Sequence, residues 1–419
     1  MTFMIQKKIL SNGLTIVAER IPFVHSITMG IWVGNGSRYE TKKENGISHF
    51  IEHMLFKGTP TRTSRDIATQ LDSIGGQINA FTAKECTCYY TRTLDTHFDL
   101  ALDVLSDMFF HSIFKEEDII KERGVILEEI NMYEDAPEEQ VHDLLQTMVW
   151  NDSLGYSILG TQETLETFQQ KELKTYIQQH YQPNNTVIAI VGNFEYEEIY
   201  EKLEEVFEVW ENSPYHRIPS FDTIYTPNVI KKEKDIEQVH LCLGFPGIPL
   251  GSKKIYALSI LNTILGGSMS SRLFQTIREE YGLAYSVYSY PSNYKNIGLF
   301  TIYAGMNPNQ TQKVMDLIIR EIQTVKKNLI AQEELNQTKE QLKSNYMMGL
   351  ESTSGRMSSI GRSQLLLDHI QTPDEIIQKI DGVVLDDIEA LIYEIFDFKK
   401  MSLAAVGNIA HLNDSIFHR

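Results

Sequence analysis

Gly46-Ile47-Ser48-His49-Phe50-Ile51-Glu52-His53-Met54-Leu55-Phe56 places two histidines four residues apart, with a glutamate directly before the second, inside an apolar run of helix-forming composition. On an α-helix, residues i and i+4 lie one above the other, so His49 and His53 present their imidazoles to one point. Two such imidazoles are the beginning of a zinc site. Glu52, three positions from His49, is close enough to take a proton from a water at the metal rather than occupy the metal itself. The rival reading is an amphipathic helix whose histidines are satisfied by core hydrogen bonds. A chance match to the five-residue pattern is on the order of a few per cent for a chain of this composition, so the surroundings must decide.

Catalytic zinc takes three protein ligands and leaves a fourth position open, which calls for a carboxylate from a second helix. The acidic, helix-compatible segment Lys121-Glu122-Arg123-Gly124-Val125-Ile126-Leu127-Glu128-Glu129-Ile130-Asn131 supplies candidates. Glu128 and Glu129 project about 100° apart, so only one of them can face the histidines. Glu122 and Glu129 are seven apart and share a face. That pairing favours Glu129 as the ligand, with Glu122 behind it as an acid that orients or buffers the site. For each of these glutamates the alternative is a solvated helix face.

The order HxxEH reverses the commoner HExxH and is the inverzincin signature. With Glu129 about 75 residues beyond His53 and the segment ERGVILEEI around it, the chain resembles the M16 family of zinc metallopeptidases, which includes the mitochondrial processing peptidase. The resemblance implies that His49, His53 and Glu129 bind one Zn2+ per chain and that Glu52 is the general base. It also places Glu122 where the family carries its second glutamate.

The 419 residues exceed one ordinary core and carry enough apolar content for two to four packed units. Three cysteines, Cys86, Cys88 and Cys242, form neither a disulfide framework nor a CxxC pair, which suits a reducing interior. The first twenty residues lack a charged head followed by a long apolar core, and no membrane span is visible, so a soluble cytoplasmic protein is expected. A formal charge of −18 argues against nucleic acid and anionic membranes as partners. Basic peptides remain compatible with it. The run Glu134-Asp135-Ala136-Pro137-Glu138-Glu139 would draw them toward the site if it is more than a solvated acidic loop.

The two halves repeat each other. Thr186-Val187-Ile188-Ala189-Ile190-Val191-Gly192-Asn193 recurs as Met401-Ser402-Leu403-Ala404-Ala405-Val406-Gly407-Asn408, and SHFIEHMLFKG from Ser48 aligns by apolar pattern with LSILNTILGGS from Leu258. Similar offsets imply duplication. In the second copy Ser259, Asn262 and Thr263 stand where His49, Glu52 and His53 stand in the first, so only the first half keeps metal chemistry. Residues 26–33 and 77–82 read as strands and 64–74 and 195–210 as helices, making each half α+β. Domains are expected over 1–210 and 236–419, joined by a polar, proline-bearing linker over 211–235.

The resemblance covers nearly the whole chain and implies two homologous α+β domains of the processing-peptidase type, facing each other like a clam with the substrate in the cleft. In such an arrangement an extended peptide adds as a strand to a sheet edge near the zinc. Asn79, Ala80 and Phe81 match the family's edge segment and are expected to contact substrate. In the second half, residues 271–287 read as a helix capped at Gly282 and followed by a strand, with Arg278 in the last turn favouring the helix dipole. By resemblance to the family's RxxxGLxY segment, Arg278 and Tyr285 would hold the peptide and donate to the developing oxyanion. The glycine-rich stretch at 265–271 lacks GxxxxGK[ST] and is read as a turn, not a phosphate loop. The expected activity is zinc-dependent endopeptidase action on unfolded peptides by a homodimer. The alternative is a subunit of a hetero-oligomer that matures one precursor with a partner chain.

Overall fold

Strand β3 (Ser26–Val33, SITMGIWV) alternates Ser26, Thr28 and Gly30 with Ile27, Met29 and Ile31, yet it is buried along nearly its whole length. Unbroken burial of that kind requires cover on both faces of the sheet. The computed structural model, which describes residues 5–212, 221–410 and 412–413, supplies it. The first sheet contains β1 (Ile5–Ile9), β2 (Thr15–Arg20), β3, β4 (Gln77–Thr82), β5 (Thr87–Leu94) and β6 (Thr186–Gly192), in the order β1-β2-β6-β3-β5-β4. One face carries the main core, in which Ile27, Met29 and Ile31 of β3 meet Phe50, Ile51 and Met54 of the helix Ile47–Leu55. The other face, with Val17, Trp32, Val187 and Ala189, is covered by Met357 and Ile360 of a helix at Thr353–Leu367.

The second sheet contains β7 (Val229–Glu233), β8 (Val239–Gly247), β9 (Ala284–Asn293), β10 (Gly298–Met306) and β11 (Ser402–Gly407), in the order β7-β11-β8-β10-β9. Its pairings repeat the first. β7 runs parallel to β11 as β2 does to β6, and the remaining neighbours are antiparallel in both sheets. The expected duplication is thus present in the topology. The helix Ile255–Leu265 lies between β8 and β9 in the chain as Ile47–Leu55 lies between β3 and β4.

The compact units do not follow the two contiguous halves. Met347–Pro373, from the second half, packs in the first unit, and Asn131–Gly155, from the first half, packs in the second. In the second unit the helix Pro137–Val149 lays Val141, Leu145 and Val149 against Cys242, Leu299 and Ala404 of the sheet. The expected linker is corrected in part. Residues 213–220 lie outside the described residues, but Val229–Glu233 is strand β7 at the outer edge of its sheet, where neither sequence nor burial alternates and paired lysines lie exposed, as edge strands allow. The acidic run at 134–139 is not a loop either. It closes one helix at Asp135 and opens the next at Pro137, where acidic residues suit the positive end of the helix dipole. Among the described residues, no helix is long and apolar enough to cross a membrane.

Candidate metal centre

The helix Ile47–Leu55 divides its faces cleanly. Ile47, Phe50, Ile51, Met54 and Leu55 follow the i, i+3, i+4, i+7, i+8 pattern and are buried in the core, leaving His49, Glu52 and His53 on the opposite side. Its start is fixed by Gly46, whose φ of 93° is left-handed and whose missing side chain admits a close neighbour. A Cβ there would lie 2.7 Å from both Gly160 Cα and the Leu159 carbonyl oxygen. Gly46 offers no capping side chain, and Glu40 takes over that task. Its Oε2 accepts from the Gly46 N–H at 2.8 Å and from Asn45 Nδ2 at 3.1 Å, and its Oε1 accepts from the Ser48 N–H at 2.9 Å. Burial pushes the Glu40 carboxyl up to about 7, against the pull of these donors.

A second helix, Glu116–Asp135, buries Ile119, Glu122 and Ile126 and directs Glu129 at the histidines. His49 Nε2 lies 3.7 Å and His53 Nε2 3.9 Å from Glu129 Oε2. These three side chains form the one His/Cys/Asp/Glu group among the described residues whose ligand atoms lie close enough to hold a metal, all within 4.8 Å of one another. The separations are too long for hydrogen bonds. They approach the roughly 3.3–3.6 Å between neighbouring ligand atoms on a tetrahedral ion with bonds of about 2.0–2.2 Å. Two imidazole nitrogens and one carboxylate oxygen are a zinc-type donor set. Burial, and then the neighbouring His53, lower the His49 pKa to about 3, which leaves its ring neutral and able to ligate. The residues therefore fit a zinc ion. Glu128, the other carboxylate weighed as a third ligand, is not part of this group.

Glu122 sits where a partner of a metal-binding histidine belongs. Its Oε2 is 3.1 Å from His53 Nδ1, so the opposite ring nitrogen is left to face Glu129. Glu52 stays outside the ligand group. Its Oε2 accepts a 2.6 Å hydrogen bond from Thr82 Oγ1 at the end of β4. Burial raises the Glu52 carboxyl above its usual range, with the Thr82 hydroxyl and His53 pulling it down and Glu129 pushing it up. Thr82 and Lys57, which bonds Glu122, were not among the residues expected from sequence, nor was Glu40. Lys57 alone had a signal, since it continues the i+4 series of His49 and His53.

Asn79, Ala80 and Phe81 lie on β4, which is the edge of the first sheet, and alternate between exposed and half-buried. Phe81 meets Trp32 edge to face at 5.5 Å. In the second unit, Arg278 and Tyr285 are brought together. The guanidinium stands 4.7 Å from the Phe274 ring centre and 5.1 Å from that of Tyr285, at a hollow of about 430 Å³ that Gly266, Gly267 and Ser268 also line. The expected helix is there but wound more widely, as a π-helix over Phe274–Glu280, ending at Gly282 with a φ of 60°.

The fold and this cluster define a duplicated α+β protein with a single histidine–histidine–glutamate centre among its described residues, of the type found in metallopeptidases. Residues 15–162 match the family model described as Insulinase (Peptidase family M16), and residues 167–342 match Peptidase M16 inactive domain. The chain is 46% identical over 412 residues to the uncharacterized zinc protease YmxG of Bacillus subtilis, covering 97% of this chain and 100% of that protein. It is 38% identical over 426 residues to the uncharacterized zinc protease SCO5738 of Streptomyces coelicolor, covering 99% and 92% respectively. The chain belongs to peptidase family M16. Its fold is shared with the crystal structure of a protease from Helicobacter pylori at a TM-score of 0.91 and 23% identity, over 97% of this chain and 100% of that one. It is shared also with a peptidase M16 inactive domain from Pseudomonas fluorescens at a TM-score of 0.90 and 17% identity, over 96% and 98%.

Proposed function

We propose that the protein is a zinc-dependent endopeptidase acting on unfolded peptides, with His49, His53 and Glu129 holding one zinc ion per chain. The observation that carries this reading is the convergence of the three ligand atoms with Glu52 held beside them but outside their group. Zinc, when bound, would polarise the scissile carbonyl. Glu52 takes the proton of the attacking water and passes it to the leaving amine, and a carboxyl raised by burial suits both halves of that task. The Thr82 hydroxyl holds the carboxylate in place between the two transfers. Glu122 keeps the His53 proton on Nδ1.

The outer edge of β4, last in its sheet among the described residues, is proposed to receive the peptide at Asn79, Ala80 and Phe81 as an added strand, with main-chain bonds giving affinity at little side-chain demand. Arg278 and Tyr285 are proposed to hold the peptide backbone and to donate to the oxyanion; their grouping at one hollow supports a shared role. Being strongly acidic, the chain should favour cationic peptides, with a preference that fades as salt rises.

The test is hydrolysis of a mixed library of unstructured peptides by the purified chain, with chelator and zinc add-back, and with cut sites read by mass spectrometry. Glu52→Gln should abolish cleavage and retain zinc, whereas Glu129→Gln should lose zinc. Full activity in the first variant, or zinc loss from it, would overturn the assignment. A zinc-loaded chain that cleaves only after a second protein is added would move the reading to a subunit that matures a specific precursor.

A further inference from the structure

Lys57 stands four residues beyond His53 and eight beyond His49, just past the end of their helix, and its side chain reaches the same carboxylate as His53. Its Nζ donates to Glu122 Oε1 at 2.6 Å, while Oε2 of the same carboxylate is 3.1 Å from His53 Nδ1. The Glu122 side chain is only 9% exposed and that of Lys57 30%. One oxygen is therefore tied to the ammonium and the other to the imidazole. The terminal torsion of a glutamate is broad and has no strongly preferred setting of its own. A carboxylate bonded to His53 alone could swing about that torsion, and the histidine could then exchange its proton between nitrogens.

From this geometry we infer that Lys57 is a positioning residue of the metal centre: it locks the Glu122 carboxylate so that His53 keeps its proton on Nδ1 and offers the Nε2 lone pair toward Glu129. The inference rests on the ligand assignment proposed above. It has a sign that simple electrostatics does not share. A lysine that merely sat near the site would repel a divalent cation, and its removal would tighten zinc binding. A lysine that sets the geometry behind a ligand has the opposite effect, since loss of such outer partners weakens metal affinity.

The experiment measures zinc affinity of the purified full chain by competition with a chelating indicator, for the parent, Lys57→Met, Lys57→Arg and Glu129→Gln. Imidazole 15N shifts of the zinc-free protein report the His53 tautomer independently of metal and of activity, and thermal unfolding checks that each variant is folded. Lys57→Met should weaken zinc binding on the order of tenfold and move His53 toward a mixture of tautomers, and Lys57→Arg should restore both. Lys57→Gln replaces the methionine variant if that one is unstable, with the same outcomes expected. Unchanged or tighter zinc binding in a folded Lys57→Met or Lys57→Gln protein, alongside loss of binding in Glu129→Gln, overturns the role of Lys57 and leaves the ligand assignment standing. Parental zinc affinity in Glu129→Gln overturns both.

Discussion

Replacing Glu19 by alanine should destabilise the first unit by about 3–5 kcal/mol. Glu19 is on β2 and Arg356 is on the helix Thr353–Leu367, and their side chains are 6% and 7% exposed. Arg356 Nη1 donates to Glu19 Oε1 at 2.5 Å, and its Nε donates to the Leu350 carbonyl at 2.6 Å. Truncating the glutamate leaves a buried guanidinium without its carboxylate, which is the costly way to break such a pair. Burial raises the Glu19 carboxyl while Arg356 pulls it down, and the desolvation of a buried pair often exceeds its attraction. The double variant Glu19→Met/Arg356→Met should therefore recover to within about 1 kcal/mol of the parent, or exceed it. Urea unfolding followed by the fluorescence of Trp32 reads this directly, in a background with Trp150→Phe and Trp210→Phe. Trp32 lies under the same helix, its Nε1 donating to Met357 Sδ at 3.2 Å. A loss below about 1 kcal/mol in Glu19→Ala, the level of an exposed ion pair, or a double variant as unstable as the single, would refute the reasoning.

Alanine usually gains about 1 kcal/mol over glycine inside a helix, but Gly361→Ala should lose about 1–3 kcal/mol by overpacking. Its Cβ would fall 2.3 Å from Trp32 Nε1, and the same urea titration would show an unexpected gain if that contact were slack. Thr82→Val removes the hydroxyl that lowers the Glu52 carboxyl, so that carboxyl should rise further. The acid limb of the pH profile of peptide hydrolysis should move to higher pH, and an unmoved limb would detach Thr82 from the base. Glu40 binds its proton up to about 7 when folded, against 4.5 as an ordinary glutamate. The folded state therefore holds more protons in that window, and stability should fall as pH rises from 4.5 to 7 and level off above. The contribution is about 3 kcal/mol. Measured on zinc-free protein, the difference between parent and Glu40→Gln should carry this slope, and a flat difference would show that the carboxyl titrates normally.

The legible part of the site was local. The i, i+4 spacing of His49 and His53, the apolar stripe beside them, and the seven-residue step from Glu122 to Glu129 are all properties of one helix at a time, and helical geometry converts them to direction without further information. Strands such as Ser26–Val33 and Gln77–Thr82 were legible for the same reason, since their side chains must alternate. Glu40 and Thr82 left no such trace. Each acts through a hydrogen bond to a helix that it reaches only after folding.

By itself the amino-acid sequence determined which helix carries His49 and His53, that Glu52 stands beside them, and that the second copy has none of these groups. The tertiary structure decided the rest. It chose the contacts of Glu122 and Lys57 that orient His53, and it sent the helix Thr353–Leu367 to the first sheet and Pro137–Val149 to the second. An amphipathic helix announces that one face must be buried, because apolar surface leaves water wherever cover is offered. It does not announce which of two equivalent sheets provides that cover. The helix Thr353–Leu367 fits the first sheet through Gly361, which admits the Trp32 ring, a matter of packing that no single helix displays in its sequence.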